Sequence, residues 1–271
     1  MENGGDRVDE NETMGQSMKP KVEIFPDEQA LAMALAQTVV ALAAKAVAVR
    51  GRCRLAIPGG SVVSLLGRGL AGLPVDASRW EIFWTDERCV PRTDPNSNFH
   101  LAKTVLFSGL RLLPGQIHSP PGELGPDAAA QAYETELNAI FGAATLPRFD
   151  LVLLGVGEDG HVASLFPGNP AVRETYRRVA PVGNAPKPPP ARITLTLPVL
   201  NQARHVIVAA AGAGKAEALS RVFAPQRAQL ELPAQMLAPR NGDIRWLLDS
   251  TAASKLPSSI SGPQPHAEKA P

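Results

Sequence analysis

The densest chemistry in this sequence is the turn Gly155-Val-Gly157-Glu-Asp159-Gly160-His161, which directly follows the apolar run Leu151-Val-Leu-Leu154. Four consecutive apolar residues predict a strand buried on both faces, as in a parallel sheet. Ligands of open α/β sheets bind where such strands end. An imidazole with a reference pKa of about 6.5 can take a proton from water near neutral pH, so His161 is the expected general base. Asp159, two residues earlier, is the group expected to orient or polarise it. A second loop, Pro58-Gly59-Gly60-Ser61, lies at a predicted strand-to-helix junction. Backbone N–H groups at a helix start bind anions, and glycines let a phosphate come close. Arg88 follows Asp86 and Glu87 at the end of a third predicted strand, and Lys215 follows Gly212-Ala-Gly214 after a fourth. One base, two cations and a set of backbone donors at four strand ends predict a pocket for a small phosphorylated substrate.

Several other chemistries are excluded by the same residues. Gly155-x-Gly157-x-x-Gly160 matches the dinucleotide fingerprint in letters only. That fold needs a full crossover helix, and Pro167, Gly168 and Pro170 would stop one within about two turns. The Gly59–Gly60 loop lacks the lysine of a nucleotide triphosphate loop, and no G-x-S-x-G elbow announces a serine acyl-enzyme. His100, His118, His161, His205 and His266 show no metal-ligand spacing, so neither metal nor cofactor is expected. Cys53 and Cys89 are too few for a disulfide framework. A net charge of +1 gives no electrostatic footprint for nucleic acid, and no obligate protein partner is evident.

The elements that must hold these residues alternate along the chain. Lys21–Phe25, Arg54–Ile57, Trp80–Thr85, residues 150–154, Arg192–Thr196, His205–Ala210 and Ile244–Leu248 read as strands. Helices are expected after Asp27 as cap, from Val62, over Ser97–Phe107 and Asp127–Phe141, and from near Lys215. Pro181 to Pro190 is too rich in proline for a helix or a central strand. Residues 30–49 are long enough to span a bilayer, but they are mostly alanine and carry Gln37, Thr38 and Lys45. Leu31, Leu35, Thr38, Leu42 and Lys45 at helical spacing predict a helix packed on a sheet instead. Residues 1–18 contain Asp6, Asp9, Glu10 and Glu12 rather than the basic start of a signal peptide, so a cytoplasmic location is expected. The apolar fraction of 44% suffices for a real core. The expected organisation is a disordered tail over 1–18, one α/β catalytic domain over 19–256, and a second loose tail over 257–271. Its fold class is a three-layer α/β/α sandwich around a mainly parallel, Rossmann-like sheet.

From about residue 22 to 250 the sequence resembles the 6-phosphogluconolactonases. The resemblance rests on Pro58-Gly-Gly-Ser61, Thr85-Asp-Glu-Arg-Cys-Val-Pro91 with Ser97-Asn98, Gly155-x-Gly-x-Asp-Gly-His-x-Ala-Ser-Leu-Phe-Pro167, Arg192-x-Thr-x-Thr196 and Gly214-Lys215. Val62-Val63 stands where a threonine and a proline are common. The resemblance implies a fold of the glucosamine-6-phosphate deaminase/ribose-5-phosphate isomerase type. It also implies hydrolysis of a phosphorylated sugar δ-lactone without metal or cofactor. His161 would activate the water, Arg88 and Lys215 would bind the phosphate or the developing charge, and Gly59, Gly60 and Ser61 would donate hydrogen bonds. Arg192 is a further candidate for the phosphate. Two alternatives remain at this point. A glucosamine-6-phosphate deaminase/isomerase would resemble a family with a carboxylate where Phe166 stands, and a sugar-phosphate sensor would not need His161 for any activity.

Overall fold

The computed structural model describes residues 21–224, 231–258 and 260. The tail expected over 1–18 lies outside the described residues, as does most of 257–271. At the start of the latter the chain is still anchored. Ile260 N–H donates to the Pro257 carbonyl at 2.9 Å, and Ile260 packs on the core.

Among the described residues ten strands form two sheets: β1 (Lys21–Phe25), β2 (Cys53–Ile57), β3 (Trp80–Trp84), β4 (Asp86–Arg88), β5 (Ile117–His118), β6 (Leu151–Leu154), β7 (Val179–Val182), β8 (Arg192–Leu195), β9 (His205–Ala210) and β10 (Asp243–Asp249). The larger sheet has the order β1-β10-β9-β6-β2-β3-β5, with every pair parallel; the smaller is the antiparallel β4-β8-β7. The helices are α1 (Glu28–Arg50), α2 (Ser61–Leu70), α3 (Asn98–Ala102), α4 (Ser108–Leu110), α5 (Pro126–Phe141), α6 (Leu197–Leu200) and α7 (Ala216–Val222). A single turn of π-helix, Lys103–Phe107, joins α3 to α4, so the helix expected over Ser97–Phe107 is present but locally underwound.

Alternation along each central strand divides the core into two apolar layers. Leu55, Ile82, Leu151, Leu153 and Ile207 face α1 and α2. Ala56, Phe83, Val152, Leu154 and Val206 face α5, α6, α7 and the small sheet. This is the expected three-layer sandwich, and all four residues of β6 are fully buried at its centre.

By length and composition α1 could cross a membrane. Here its inner stripe, Leu31, Leu35, Val39, Leu42 and the alanines between them, is buried in the core. Thr38 and Lys45 are not on that stripe, contrary to expectation. Alanine is small enough to let the helix lie close to its neighbours, so the packed face follows alanine as much as leucine. Asp27 caps the helix, accepting from Ala30 N–H at 2.8 Å, as its sequence position predicts.

The strand expected over Trp80–Thr85 divides in a way the sequence does not announce. β3 ends at Trp84, and Asp86–Arg88 leaves the large sheet to become β4 beside β8. Thr85 is the joint: its N–H donates to Ile57 O at 2.9 Å and its carbonyl accepts from Leu195 N–H at 2.7 Å. Glu87 then holds the next helix. Buried to 2%, its carboxylate accepts from Arg88, Asn98 and Phe99 N–H at 2.7–2.8 Å and from the Ser97 hydroxyl at 3.2 Å. Burial pushes its pKa up to about 7 against those donors. Glu87→Gln replaces one accepting oxygen with a donor and leaves a buried N–H unpaired. It should cost about 1–3 kcal/mol, read as a lower urea midpoint at unchanged slope.

Besides β4, two further strands were not expected. β5 is two residues long, and β7 contains Pro181. Its place at the edge of the small sheet is one where a missing N–H is tolerated.

Candidate active site

β2, β6 and β9 lie side by side in the sheet and end at one edge, where each opens into a glycine-bearing loop. After β6 the chain forms a tight turn closed by Gly157 N–H to His161 O at 2.8 Å and Gly160 N–H to Gly157 O at 3.0 Å. No helix follows. The next residues make a small bridge, Val162 to Leu165, with Ala163 held at φ +48°, a left-handed strain found mostly at functional loops. The turn places His161 Nδ1 2.5 Å from Asp159 Oδ1. With the carboxylate as acceptor, Nδ1 carries the proton and Nε2 is left as the basic atom. The ring also packs 4.6 Å from that of Phe166. Its side chain stays 18% exposed, so water reaches it.

Burial lowers the pKa of His161; the charge and hydrogen bond of Asp159 oppose that, as does the charge of Asp86, while Lys187 reinforces it. Burial would raise Asp159, but the charge and hydrogen bonds of His161 hold it below the usual carboxylate range. The pair is therefore a neutral imidazole beside an ionised carboxylate at pH 7.

The loop after β9 turns through Gly212 (φ +92°), makes one 3-10 turn over Ala213–Lys215, and enters α7 at Ala216. The Glu158 carboxylate lies so near Gly214 that a Cβ there would sit 3.1 Å from its oxygen. Lys215 is half-buried, and burial lowers its pKa. Glu158 and Asp159 oppose the shift and Lys187 adds to it, so Lys215 stands within electrostatic reach of the His161 dyad.

The loop after β2 reaches the same place. Gly60 sits at φ +67° and ψ −148° as the residue before α2, and no side chain caps this helix start. The first N–H groups of α2, from Ser61 on, thus lack intrahelical partners. Gly59 is required for another reason. A Cβ there would lie 1.9 Å from Oδ1 of Asn98, whose amide donates to the Asp86 carbonyl at 2.8 Å. A Cβ on Gly155 would lie 3.2 Å from Val62 Cγ2, so the turn after β6 sits against the first turn of α2.

Arg88 and Arg192 enter differently from the other candidates. Both belong to the small antiparallel sheet, where they are direct cross-strand partners, rather than to carboxyl ends of the parallel one. Four converging strand ends are thus three strand ends and one sheet edge. Nothing in Trp84-Thr-Asp-Glu marks the change of sheet. Arg88 gives one N–H to Asn96 O at 3.0 Å, and its Nε is buried with no partner among the described residues. Arg192 is 4% exposed and largely committed. Its guanidinium donates to the carbonyls of Pro189 at 2.9 Å and Lys187 at 2.8 Å, approaches Ser164 Oγ at 3.4 Å, and lies over Phe166. Ser164 in turn donates to Asp86 at 2.7 Å.

Three participants escaped the sequence reading. Asn98 and Asp86 lock the Gly59 loop to the small sheet, and Lys187 is brought to the site on the proline-rich segment that Arg192 pins. Ser97-Asn98 after the acidic pair was a signal for the first two. Lys187 gave none, because only the fold of that segment sets its position.

Residues 26–246 match the family model described as glucosamine-6-phosphate isomerases/6-phosphogluconolactonase. A 6-phosphogluconolactonase of Rattus norvegicus is 43% identical over 241 residues, covering 87% of this chain and 93% of the rat protein. The structure of a 6-phosphogluconolactonase from Trypanosoma brucei superposes with a TM-score of 0.79 at 28% identity, covering 88% of this chain and 99% of that one. A monomeric glucosamine-6-phosphate deaminase, 20% identical, shares the fold at a TM-score of 0.71 over 87% of this chain and 99% of its own. The chain therefore belongs to the glucosamine-6-phosphate isomerase/6-phosphogluconolactonase family, and within it to the 6-phosphogluconolactonases.

Proposed function

We propose that residues 19–256 act as one catalytic unit that hydrolyses 6-phospho-D-glucono-1,5-lactone to 6-phospho-D-gluconate in the oxidative pentose phosphate pathway. The observation that supports it most is the Asp159–His161 pair, whose imidazole stays 18% exposed in the turn that follows β6. Nε2 of His161 takes a proton as water adds to the lactone carbonyl. The resulting oxyanion is stabilised by Arg88 or Lys215, and its collapse breaks the bond to the ring oxygen. The imidazolium returns the proton to that departing oxygen, so the base is regenerated. A δ-lactone is an activated ester, and a positioned base with an oxyanion stabiliser is enough to open it. The other of these two cations and the amides from Gly59 to Ser61 hold the distant phosphate, which fixes the carbonyl over His161. Arg192 supports the site by pinning the 187–189 carbonyls. The free thiols Cys53 and Cys89 suit the reducing cytoplasm, which we take as its compartment.

The deaminase reading lacks a proton carrier where it would need one. Phe166 is 2% exposed and fills that position with an apolar ring against His161. Purified protein should accelerate the decay of freshly generated lactone with no metal added, read against the spontaneous rate. In the same assay Lys215→Ala should chiefly raise KM, by about tenfold or more, the worth of a charge-assisted bond to phosphate. A decay rate equal to the spontaneous one would reject the proposal.

A further inference from the structure

The strands that carry the catalytic loops at their carboxyl ends frame a second concavity at their amino ends. A cavity of about 420 Å³ opens there, within the range of small-molecule sites. Five arginines line it: Arg50 at the end of α1, Arg52 and Arg54 flanking the start of β2, Arg148 shortly before β6, and Arg204 just before β9.

These cations are under-neutralised. Asp150, 3% exposed, accepts from Arg50 Nε at 2.6 Å and Arg54 N–H at 2.9 Å, with Arg204 Nε at 3.4 Å. Glu81 takes Arg54 Nε at 2.8 Å and Arg52 at 3.1 Å. Two carboxylates thus serve five guanidinium groups. Arg148 gives one N–H to Asn241 O at 2.7 Å. The Nε of Arg148 is buried with no hydrogen-bond partner among the described residues, and that of Arg204 has the 3.4 Å ion pair with Asp150 but no hydrogen bond there. Buried donors without acceptors and uncompensated like charges both cost stability, and one bound anion relieves both. Arg204 already feels the crowding: burial first, then the charges of Arg148 and Arg50, lower its pKa.

We propose that this cavity binds a compact, multiply charged phosphate ligand, at a site separate from the one that holds the phosphosugar. Guanidinium groups match phosphate oxygens in pairs, and several converging arginines favour a diphosphate over a single carboxylate. A polynucleotide would need a track of cations rather than a hollow. The ring of Phe141 in the wall is already covered by Arg54, at 4.4 Å, so recognition rests on charge rather than on stacking with that ring.

Isothermal titration with inorganic pyrophosphate and, separately, with ADP tests the proposal on the full chain. Both should bind with one equivalent and weaken as salt is raised. Binding should survive Lys215→Ala and saturating 6-phosphogluconate, which remove or fill the catalytic anion site. It should weaken about tenfold or more in Arg148→Gln, the worth of a charge-assisted hydrogen bond. Arg52→Glu, at a side chain 54% exposed, should weaken it with lactone hydrolysis unchanged. Tighter binding of ADP would identify a nucleotide ligand, and equal or weaker binding a phosphate group alone. The proposal is overturned if neither ligand binds, or if Lys215→Ala abolishes binding while Arg148→Gln and Arg52→Glu leave it intact. Lactone hydrolysis by the same preparation reports independently on the catalytic reading.

Discussion

His161→Ala should lower kcat by about 10²–10⁴-fold, the ordinary worth of a positioned general base, while KM changes little. The division follows from the geometry. In the proposed mechanism the imidazole meets the attacking water, whereas affinity is assigned to cations and amides that the substitution does not touch. The variant should fold normally, because the ring is partly exposed and the turn is closed by backbone hydrogen bonds that alanine keeps. The pH profile gives a second reading of the same residue. A base must be neutral to act, so activity falls as pH drops through the pKa of His161. Burial sets that pKa below the usual 6.5, and the acid limb of kcat/KM should therefore fall below about pH 6.5. Asp159→Asn removes the charge that raises the pKa and introduces an NH2 donor that favours the tautomer with Nδ1 unprotonated. It should move the limb lower still and reduce kcat through loss of the tautomer. An acid limb above that of free imidazole would point to a different base.

Much of this site was legible because it is written in local residues. A buried strand, a glycine turn and the residue pair Asp159–His161 occupy eleven consecutive positions, and local spacing determines their geometry. The same holds for Gly59–Ser61 before α2 and for Lys215 before α7. The parallel sheet was legible for a related reason, since apolar runs alternating with helical stretches admit few topologies. What escaped depends on contacts distant in sequence. The passage from β3 to β4 needs no glycine or proline, because Thr85 bonds to Ile57 on one side and Leu195 on the other. The segment from 181 to 190 reads as an irregular loop. Its course to the site with Lys187 is fixed by β7–β8 pairing, by Ala185 N–H donating to Pro190 O at 2.9 Å, and by Arg192 reaching back to three of its carbonyls. Arg192 itself was expected to meet phosphate. Most of its donors are engaged by the protein, which a sequence cannot reveal.

Gly157→Ala should be nearly as damaging to kcat as loss of the histidine itself, a fall of about 10²-fold or more, although the methyl group touches no substrate. The added Cβ would lie 2.0 Å from His161 Nδ1 and 2.5 Å from Asp159 Oδ1. Both contacts are far inside van der Waals distance, so the ring must swing away and the Nδ1–Asp159 bond must break. Backbone strain has no part in this, because Gly157 is not left-handed. Gly168→Ala supplies the contrast. That residue is left-handed at φ +76° with open space where a Cβ would stand. Alanine there should cost about 1–2 kcal/mol of stability and leave kcat intact. Thermal melts and lactone kinetics on the two variants separate the explanations, and the histidine side-chain NMR signals should move in Gly157→Ala alone. If Gly157→Ala kept full kcat, the pairing of His161 with Asp159 would be dispensable, and a base oriented by that carboxylate could not be the source of the rate.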